Sequence, residues 1–331
     1  MKKIIALFLS FIAISCLTCV SCSSQSANDK ISVVCTIFPE YDWVKNIVGE
    51  SDKIEITLLQ KSGADLHNFQ PSADDIVKIS KCDLFIYVGG ESDEWVEKTF
   101  ASIGSDKSKT LNLTEALGDM VKFEEDTDAA VGKEDDHDHD HEHDEGAVDE
   151  HIWLSVKNAV VCCEKIADEL CVVSPENKSL FSENLSRYVS ELNSLDKEFE
   201  DLVAVMPQKT LVFGDRFPFG YFAADYGLKC YAAFSGCSAE TEASFETIAL
   251  LAAKADEFAL SSICILENGN VKIAETVKNA TKSKNQKIIE FESMQSVTLK
   301  NIESGATYLS LMRKNYDALK QVIEIGGENN G

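Results

Sequence analysis

An uninterrupted helical pattern lies near the middle of the 331-residue chain, from Pro175 to Met206, with no internal glycine or proline. Its apolar side chains recur at helical spacing. They are Leu180, Leu185, Tyr188, Leu192, Leu195, Phe199 and Leu202. A helix of about 30 residues would span about 45 Å, longer than a crossover inside one α/β domain requires. We therefore predict a linking helix over residues 175–206 between two lobes, residues 31–174 and 207–331.

On both sides of this helix, short apolar runs of strand type alternate with amphipathic stretches. Before it, the predicted strands are Ile31–Ile37, Ile54–Leu59, Leu84–Val88 and Thr110–Leu113, with helices at Glu40–Val48, Ala73–Ser80 and Val156–Leu170. After it, the predicted strands are Thr210–Phe213, Lys229–Phe234, Ile263–Glu267 and Lys287–Phe291, with helices at Phe219–Asp225, Ser244–Asp256, Val271–Thr281 and Thr307–Ile323. Such alternation indicates βαβ units and mainly parallel sheets. The predicted fold class is α/β.

The first 22 residues have the pattern of an export signal. Two lysines precede an apolar run from Ile4 to Ile14, which is too short to span a bilayer comfortably. The segment ends in small residues and cysteines, and it resembles a bacterial lipoprotein signal, in which one cysteine carries the lipid. We predict lipidation at Cys22, with Cys16 as the alternative, and a polar tether over residues 23–30.

A second unusual segment is strongly acidic. Residues 124–150 hold fourteen Asp and Glu, one lysine and four histidines, which are His137, His139, His141 and His143. The whole chain has 31 Lys and Arg against 56 Asp and Glu, which excludes a nucleic-acid binder. With almost nothing to bury, residues 124–148 are predicted to form a disordered loop. Alternating imidazole and carboxylate groups suit Zn²⁺, so we predict an auxiliary metal-binding loop of modest affinity.

Two further histidines, His67 and His151, lie in sequence predicted to be folded. His67 follows a predicted strand and precedes a predicted helix, and open α/β sheets place their ligands at such carboxyl ends of strands. His151 opens the segment after the acidic loop. Taken alone, each is more often a hydrogen-bonded structural residue, but together with the histidine-rich loop they form a candidate pair of metal ligands.

Four motifs carry a resemblance to a known family. Gly63 to Pro71 reads GADLHNFQP and is similar to the GADPHxYEP motif of metal-binding lipoproteins that serve zinc and manganese ABC importers. Asp149 to Ser155 resembles their DxHIWLD motif, and Phe219 to Leu228 resembles their FGYF…YGL segment. Thr241 to Ser244 resembles their EPS or EAS loop. The motifs occur in family order and cover nearly the whole mature chain.

The resemblance implies two Rossmann-like α/β lobes joined by one long rigid helix, with a metal site in the cleft between them. The family's ligands are three histidines with a carboxylate or water, or two histidines with two carboxylates. His67 and His151 match the first two positions. Glu292, after the last predicted strand, stands where the family has an Asp at the fourth position.

The third ligand position departs from the family pattern. Arg216 stands there, and a guanidinium has no lone pair to give to a metal. The neighbouring Asp215 is the substitute candidate, although an ion pair with Arg216 or a helix cap would explain it equally well. Glu240, Glu242 and Cys237 are the other candidates for this position.

The predicted function is that of a lipid-anchored metal receptor rather than an enzyme. It would sit on the outer face of the cytoplasmic membrane or in the periplasm as a monomer, capture Zn²⁺, and deliver it to an ABC permease and its ATPase. Two histidines with two carboxylates would also suit Mn²⁺, which is the alternative cargo. A secreted metallohydrolase is the rival from another class, but the chain has no HExxH signature.

Overall fold

Two four-stranded parallel sheets form the framework of the protein in this computed structural model, which describes residues 30–63, 66–103, 109–124, 147–236, 238 and 242–328. The first sheet has the strand order β2-β1-β3-β4 and the second β6-β5-β7-β8. The strands are β1 Ile31–Cys35, β2 Ile54–Leu58, β3 Leu84–Tyr87, β4 Lys109–Asn112, β5 Thr210–Phe217, β6 Lys229–Ser235, β7 Ser262–Leu266 and β8 Lys287–Phe291. The two lobes therefore share one topology, and the predicted α/β fold class is confirmed.

The helices occupy the sequence between and beyond these strands. They are α1 Phe38–Val48, α2 Ala73–Lys81, α3 Glu94–Ile103, α4 Leu113–Leu117, α5 Val156–Val173, α6 Lys178–Ala204, α7 Gly220–Tyr226, α8 Phe245–Glu257, α9 Val271–Ala280, α10 Leu299–Glu303 and α11 Tyr308–Glu328. In α2, the Ser72 side chain accepts a hydrogen bond from the Asp75 backbone N–H, and the Asp75 carboxylate accepts one from the Ser72 backbone N–H. This reciprocal capping is what the sequence pattern predicts. None of the described helices is long and apolar enough to cross a lipid bilayer.

The long helix α6 is 27 residues, slightly shorter than predicted, because Pro175–Asn177 forms a separate 3₁₀ turn before it. Its buried face includes Phe181, Leu192 and Phe199, and it packs on α5 and α1. These side chains belong to one apolar core that includes residues from both sheets. Because the core is continuous, α6 is held to both lobes by close packing rather than by a flexible hinge.

Buried hydrogen bonds also join the two lobes. The Tyr308 hydroxyl donates to the Trp153 carbonyl at 2.7 Å, and the Trp153 indole N–H donates to the Ser293 carbonyl at 2.8 Å. The Tyr221 hydroxyl donates to the Asp149 carbonyl at 2.9 Å. Breaking such a bond would leave a buried polar group unsatisfied, at a cost of about 1–3 kcal/mol each. These bonds therefore restrict relative movement of the lobes.

Several parts of the fold differ from the sequence prediction, among them strand β5 and helix α3. Strand β5 runs to Phe217 instead of Phe213, with an irregularity in its pairing to β6 between Phe213 and Arg216. The bulge lets the strand continue past a charged pair that interrupts its apolar pattern. Helix α3, Glu94–Ile103, is not predicted from the sequence, because its buried face is formed by only a few side chains, among them Trp95 and Val96.

Candidate metal centre

The two folded histidines lie side by side, although they are separated by 84 positions in the chain. His67 lies in a 3₁₀ turn, Leu66–Asn68, that follows β2. His151 immediately precedes a second 3₁₀ turn, Ile152–Leu154. The centroids of the two imidazole rings are 5.5 Å apart, with an angle of 66° between the ring planes. The two rings therefore contact each other in an edge-to-face arrangement.

His151 is buried and held from behind by a carboxylate. Asp149 Oδ1 accepts hydrogen bonds from the His151 backbone N–H at 2.9 Å and from the ring Nδ1 at 2.8 Å. Burial favours the neutral ring, but the hydrogen bond to Asp149 and the charges of Asp149 and Glu150 outweigh it and raise the pKa of His151. Gly236 packs against the ring, and a Cβ atom there would lie 3.0 Å from His151 Cε1.

His67 has a corresponding arrangement with Glu150 and Ser92. Its Nδ1 lies 2.9 Å from Glu150 Oε1 and 2.7 Å from the Ser92 hydroxyl. The Ser92 hydroxyl and backbone N–H both donate to the Glu150 carboxylate. Burial opposes ionisation of Glu150, but hydrogen bonds from His67 and Ser92 and the charge of His151 outweigh it and lower the pKa of Glu150. Glu150 is therefore a carboxylate that orients His67.

These contacts determine where the protons of the neutral rings lie. A carboxylate oxygen accepts hydrogen bonds, so in each neutral ring the proton is on Nδ1 and the Nε2 lone pair faces away from the acid. Metal-binding histidines commonly donate their second ring N–H to a carboxylate in this way. Both Nε2 atoms face the same side chain, Gln295, whose Nε2 lies 2.8 Å from that of His151 and 3.3 Å from that of His67.

Glu292 is not brought to the histidine pair in this structure. Its carboxylate Oε1 lies 2.5 Å from the Lys314 ammonium on α11, and the Asn315 side chain bonds its backbone N–H and carbonyl. It lines a cavity together with Glu267 and Glu290. Its assignment as a metal ligand stays a prediction, and three residues further along the chain Gln295 occupies the position beside the imidazoles.

Asp215 lies at the bulge of β5. Its Oδ1 accepts the Arg216 backbone N–H at 2.8 Å, and its Oδ2 accepts the Leu266 backbone N–H at 3.2 Å. Burial outweighs these bonds and raises the pKa of Asp215. These contacts with backbone N–H groups tie β5 to the end of β7. None of the contacts described for Asp215 reaches His67 or His151.

The remaining candidates divide into two groups. Glu242 is exposed at the N-terminal side of α8. Cys237, Glu240, the loop residues His137, His139, His141 and His143, and the cysteines Cys16 and Cys22 lie outside the described residues. Among the residues that the structure does describe, no three His, Cys, Asp or Glu side chains come together as a group that could hold a metal ion. The described donor set is two imidazoles and one amide.

Four members of the site are not predicted from the sequence: Asp149, Glu150, Ser92 and Gln295. Asp149 and Glu150 have a local signal, because they directly precede His151 in a stretch where acids flank a candidate ligand. Ser92 and Gln295 have none, because only the tertiary fold brings the turns after β3 and β8 to the histidines.

The two parallel-sheet lobes, the long connecting helix and the converging imidazoles define a two-lobed α/β binding protein with a candidate cation site. The chain belongs to the family described as zinc-uptake complex component A, periplasmic, whose model matches residues 33–322. This confirms the resemblance predicted from the motifs.

Individual relatives agree with this assignment. The zinc-binding lipoprotein AdcA of Streptococcus pneumoniae is 33% identical over 331 residues, covering 99% of this chain and 62% of the relative. The high-affinity zinc uptake system protein ZnuA of Bacillus subtilis is 29% identical and covers 91% of this chain and 90% of the relative. This chain therefore spans less than two thirds of the length of AdcA.

Solved structures show the same fold. The Zn(II)-bound ZnuA-like domain of Streptococcus pneumoniae AdcA aligns with a TM-score of 0.68 at 30% identity, covering 89% of this chain and 99% of that one. The metal-dependent lipoprotein YcdH of Bacillus subtilis aligns with a TM-score of 0.71 at 27% identity, covering 89% of this chain and 100% of that one.

Proposed function

We propose that this protein is the extracytoplasmic receptor of an ABC importer, which captures Zn²⁺ and delivers it to a membrane permease and its ATPase. The observation that carries the proposal is the pair of imidazoles of His67 and His151. Their Nδ1 atoms face carboxylates, and both Nε2 atoms lie beside the Gln295 amide nitrogen. Neutral imidazole nitrogens suit Zn²⁺. The relatives named as a zinc-binding lipoprotein and a zinc uptake protein support the same cargo.

In this proposal the protein binds and releases a cation and makes or breaks no covalent bond. Both histidines belong to the lobe of residues 31–174, and Gln295 from the other lobe lies against them, so affinity depends on how the lobes are positioned. The buried hydrogen bonds between the lobes limit closure to a small movement. Release at the permease then requires a state of lower affinity, because a partner can shift the equilibrium only through its preference for one state.

The arrangement along the chain is part of the proposal. Residues 1–22 would be the signal, Cys22 or Cys16 the lipid-bearing residue, and residues 23–30 a tether. The lobes would comprise residues 31–174 and 207–331, with a linking segment over 175–206 that contains helix α6. A lipid-anchored monomer at the cell envelope would keep the receptor near its permease, and the acidic loop would raise the local concentration of cations.

Metal binding by the purified protein tests the proposal. We expect one tightly bound Zn²⁺, and an increase in the free energy of unfolding of about 4 kcal/mol at a thousandfold excess over the dissociation constant. His67→Ala and His151→Ala should each lose most of this increase in thermal unfolding experiments, whereas His137→Ala serves as the matched control and should keep it.

Other outcomes would change the assignment. A full metal-induced shift in both histidine variants would place the site elsewhere. A larger shift with Mn²⁺ than with Zn²⁺ would make Mn²⁺ the cargo. Metal-dependent hydrolysis of ester, peptide or phosphate substrates by the wild type, lost in His67→Ala, would favour the metallohydrolase.

A further inference from the structure

The Gln295 side chain fills the point where the two histidines converge. It is only 6% exposed, and its amide nitrogen lies within hydrogen-bond distance of both imidazole Nε2 atoms. An amide group carries two N–H donors on its nitrogen and only acceptors on its oxygen. The two donors match the two lone pairs that His67 and His151 present.

For neutral rings, the carboxylates behind them favour one orientation of the amide. If Gln295 presented its oxygen to both rings, each Nε2 would need a proton. The neutral rings carry their protons on Nδ1, because Asp149 and Glu150 accept hydrogen bonds there. The hydrogen-bond network therefore assigns the amide nitrogen to the position between the rings.

The backbone around Gln295 is firmly held. The Ser293 backbone N–H and hydroxyl donate to the Glu267 carboxylate at 2.6 and 2.7 Å, and the Ser293 carbonyl accepts the Trp153 indole N–H at 2.8 Å. Met294 then adopts a left-handed conformation with φ of 62°, which is unusual for a residue with a side chain. Strain of this kind persists where the surroundings enforce it, and here it directs Gln295 toward the histidines.

The amide nitrogen and a bound cation cannot occupy this point together. Zn²⁺ binds imidazole nitrogen at about 2.0–2.1 Å, and the Gln295 nitrogen already lies 2.8 Å from His151 Nε2. The amide can, however, present its oxygen to the ion in place of its nitrogen. Rotation of about 180° around its terminal C–C bond exchanges nitrogen for oxygen, and that torsion is soft and roughly two-fold.

We propose that Gln295 acts as an exchangeable ligand: its NH₂ group bonds to the two imidazoles, and its carbonyl oxygen replaces it and coordinates the ion when Zn²⁺ binds. The proposal rests on the proposed function and deepens it, because it names the ligand that the C-terminal lobe supplies. A neutral amide oxygen is a weaker ligand than a carboxylate, which favours release to a permease. It also leaves Glu292 free to remain paired with Lys314.

Three variants test the ligand role by competition with a zinc chelator. Gln295→Leu keeps the apolar volume but has no donor atom, so Zn²⁺ affinity should fall about tenfold or more. Gln295→Glu supplies a carboxylate of the same shape, so affinity should rise by about the same factor. Glu290→Gln, at an exposed residue of β8, is the control and should leave the affinity unchanged within about twofold, which is about 0.4 kcal/mol.

The outcomes separate this proposal from the function itself. If the wild type binds Zn²⁺ and Gln295→Leu binds it with equal or higher affinity, Gln295 only competes with the metal. The ligand assignment would then be overturned. Loss of affinity in Glu292→Gln alone would assign the position to Glu292. If the wild type bound no Zn²⁺, the proposed function would fail as well. Should Gln295→Leu fold poorly, Gln295→Ala takes its place, with the same expected loss of Zn²⁺ affinity and the same overturning outcome.

Nuclear magnetic resonance of the ¹⁵N-labelled protein supplies a second measurement. The Gln295 NH₂ signals, identified by their absence in Gln295→Leu, should shift on addition of Zn²⁺ because the two hydrogen bonds to imidazole are lost. Gln286 is the internal control, since it is also buried and its side chain is bonded to Thr281 and Ser283. If the chemical shifts of the Gln295 NH₂ signals do not change when Zn²⁺ is added, the proposed exchange of nitrogen for oxygen is wrong.

Discussion

Asp149 accepts two hydrogen bonds from His151, one from its backbone N–H and one from its ring, through a single carboxylate oxygen. The first bond fixes the turn that carries the histidine, and the second fixes the orientation and tautomer of the ring. One acidic residue thus sets both the position and the chemistry of the adjacent imidazole.

The loss of this carboxylate should therefore weaken metal binding without removing a ligand. In Asp149→Ala, we expect Zn²⁺ affinity to fall about 10–100-fold, because the ring can rotate and its proton can move to Nε2. Chelator competition measures the change. Asp168→Ala, an exposed aspartate on α5, is the matched control and should bind as the wild type. Equal affinities in the two variants would argue against His151 as a ligand.

Gly236 should be intolerant of any side chain. A Cβ atom there would lie 3.0 Å from both His151 Cε1 and the Phe217 carbonyl oxygen, which is closer than ordinary contact. Gly236→Ala should displace the ring and lower Zn²⁺ affinity by about tenfold, as disturbed support of a metal ligand typically does. Gly326→Ala, where nothing lies within 4 Å, makes the same chemical change in open space and should have no effect on binding.

The acidic loop should be removable. Its two ends are paired with each other, since the Glu124 N–H donates to the Ala147 carbonyl at 2.9 Å and Phe123 forms a bridge with Val148. Replacing residues 125–146 with a short Gly-Ser turn should therefore leave the fold and one tight Zn²⁺ equivalent intact, while weaker equivalents held by the loop histidines disappear. Calorimetric titration measures both classes of site. Loss of the tight equivalent would contradict the assignment to His67 and His151.

Asp42 gives a pH dependence that is separate from the metal site. Burial outweighs its hydrogen bonds and raises its pKa from 3.8 to about 6, so the folded state holds its proton more tightly than the unfolded chain. Its contribution to stability should fall as the pH rises from about 4 to about 6 and stay low above that range.

The variant Asp42→Asn tests this contribution. Its amide oxygen can still accept the Tyr308 backbone N–H, now 2.9 Å from Asp42 Oδ2, but it carries no buried charge. At pH 7.5 we expect the free energy of unfolding to rise by about 1–3 kcal/mol, since a shift of one pKa unit corresponds to about 1.4 kcal/mol. At pH 4 the gain should disappear. Asp201→Asn, on an exposed part of α6, should show neither effect in denaturant titrations.

The sequence alone was enough to predict two α/β lobes, the long helix between them, and His67 and His151 as a candidate pair. These features depend on local patterns, because helical and strand periodicity and short motifs are contained in neighbouring residues. Tertiary structure decided which side chains complete the site. Lys314 on α11 pairs with Glu292, and the left-handed backbone at Met294 turns Gln295 toward the imidazoles instead. Both effects depend on contacts made by residues far apart in the chain, so no local pattern could predict them.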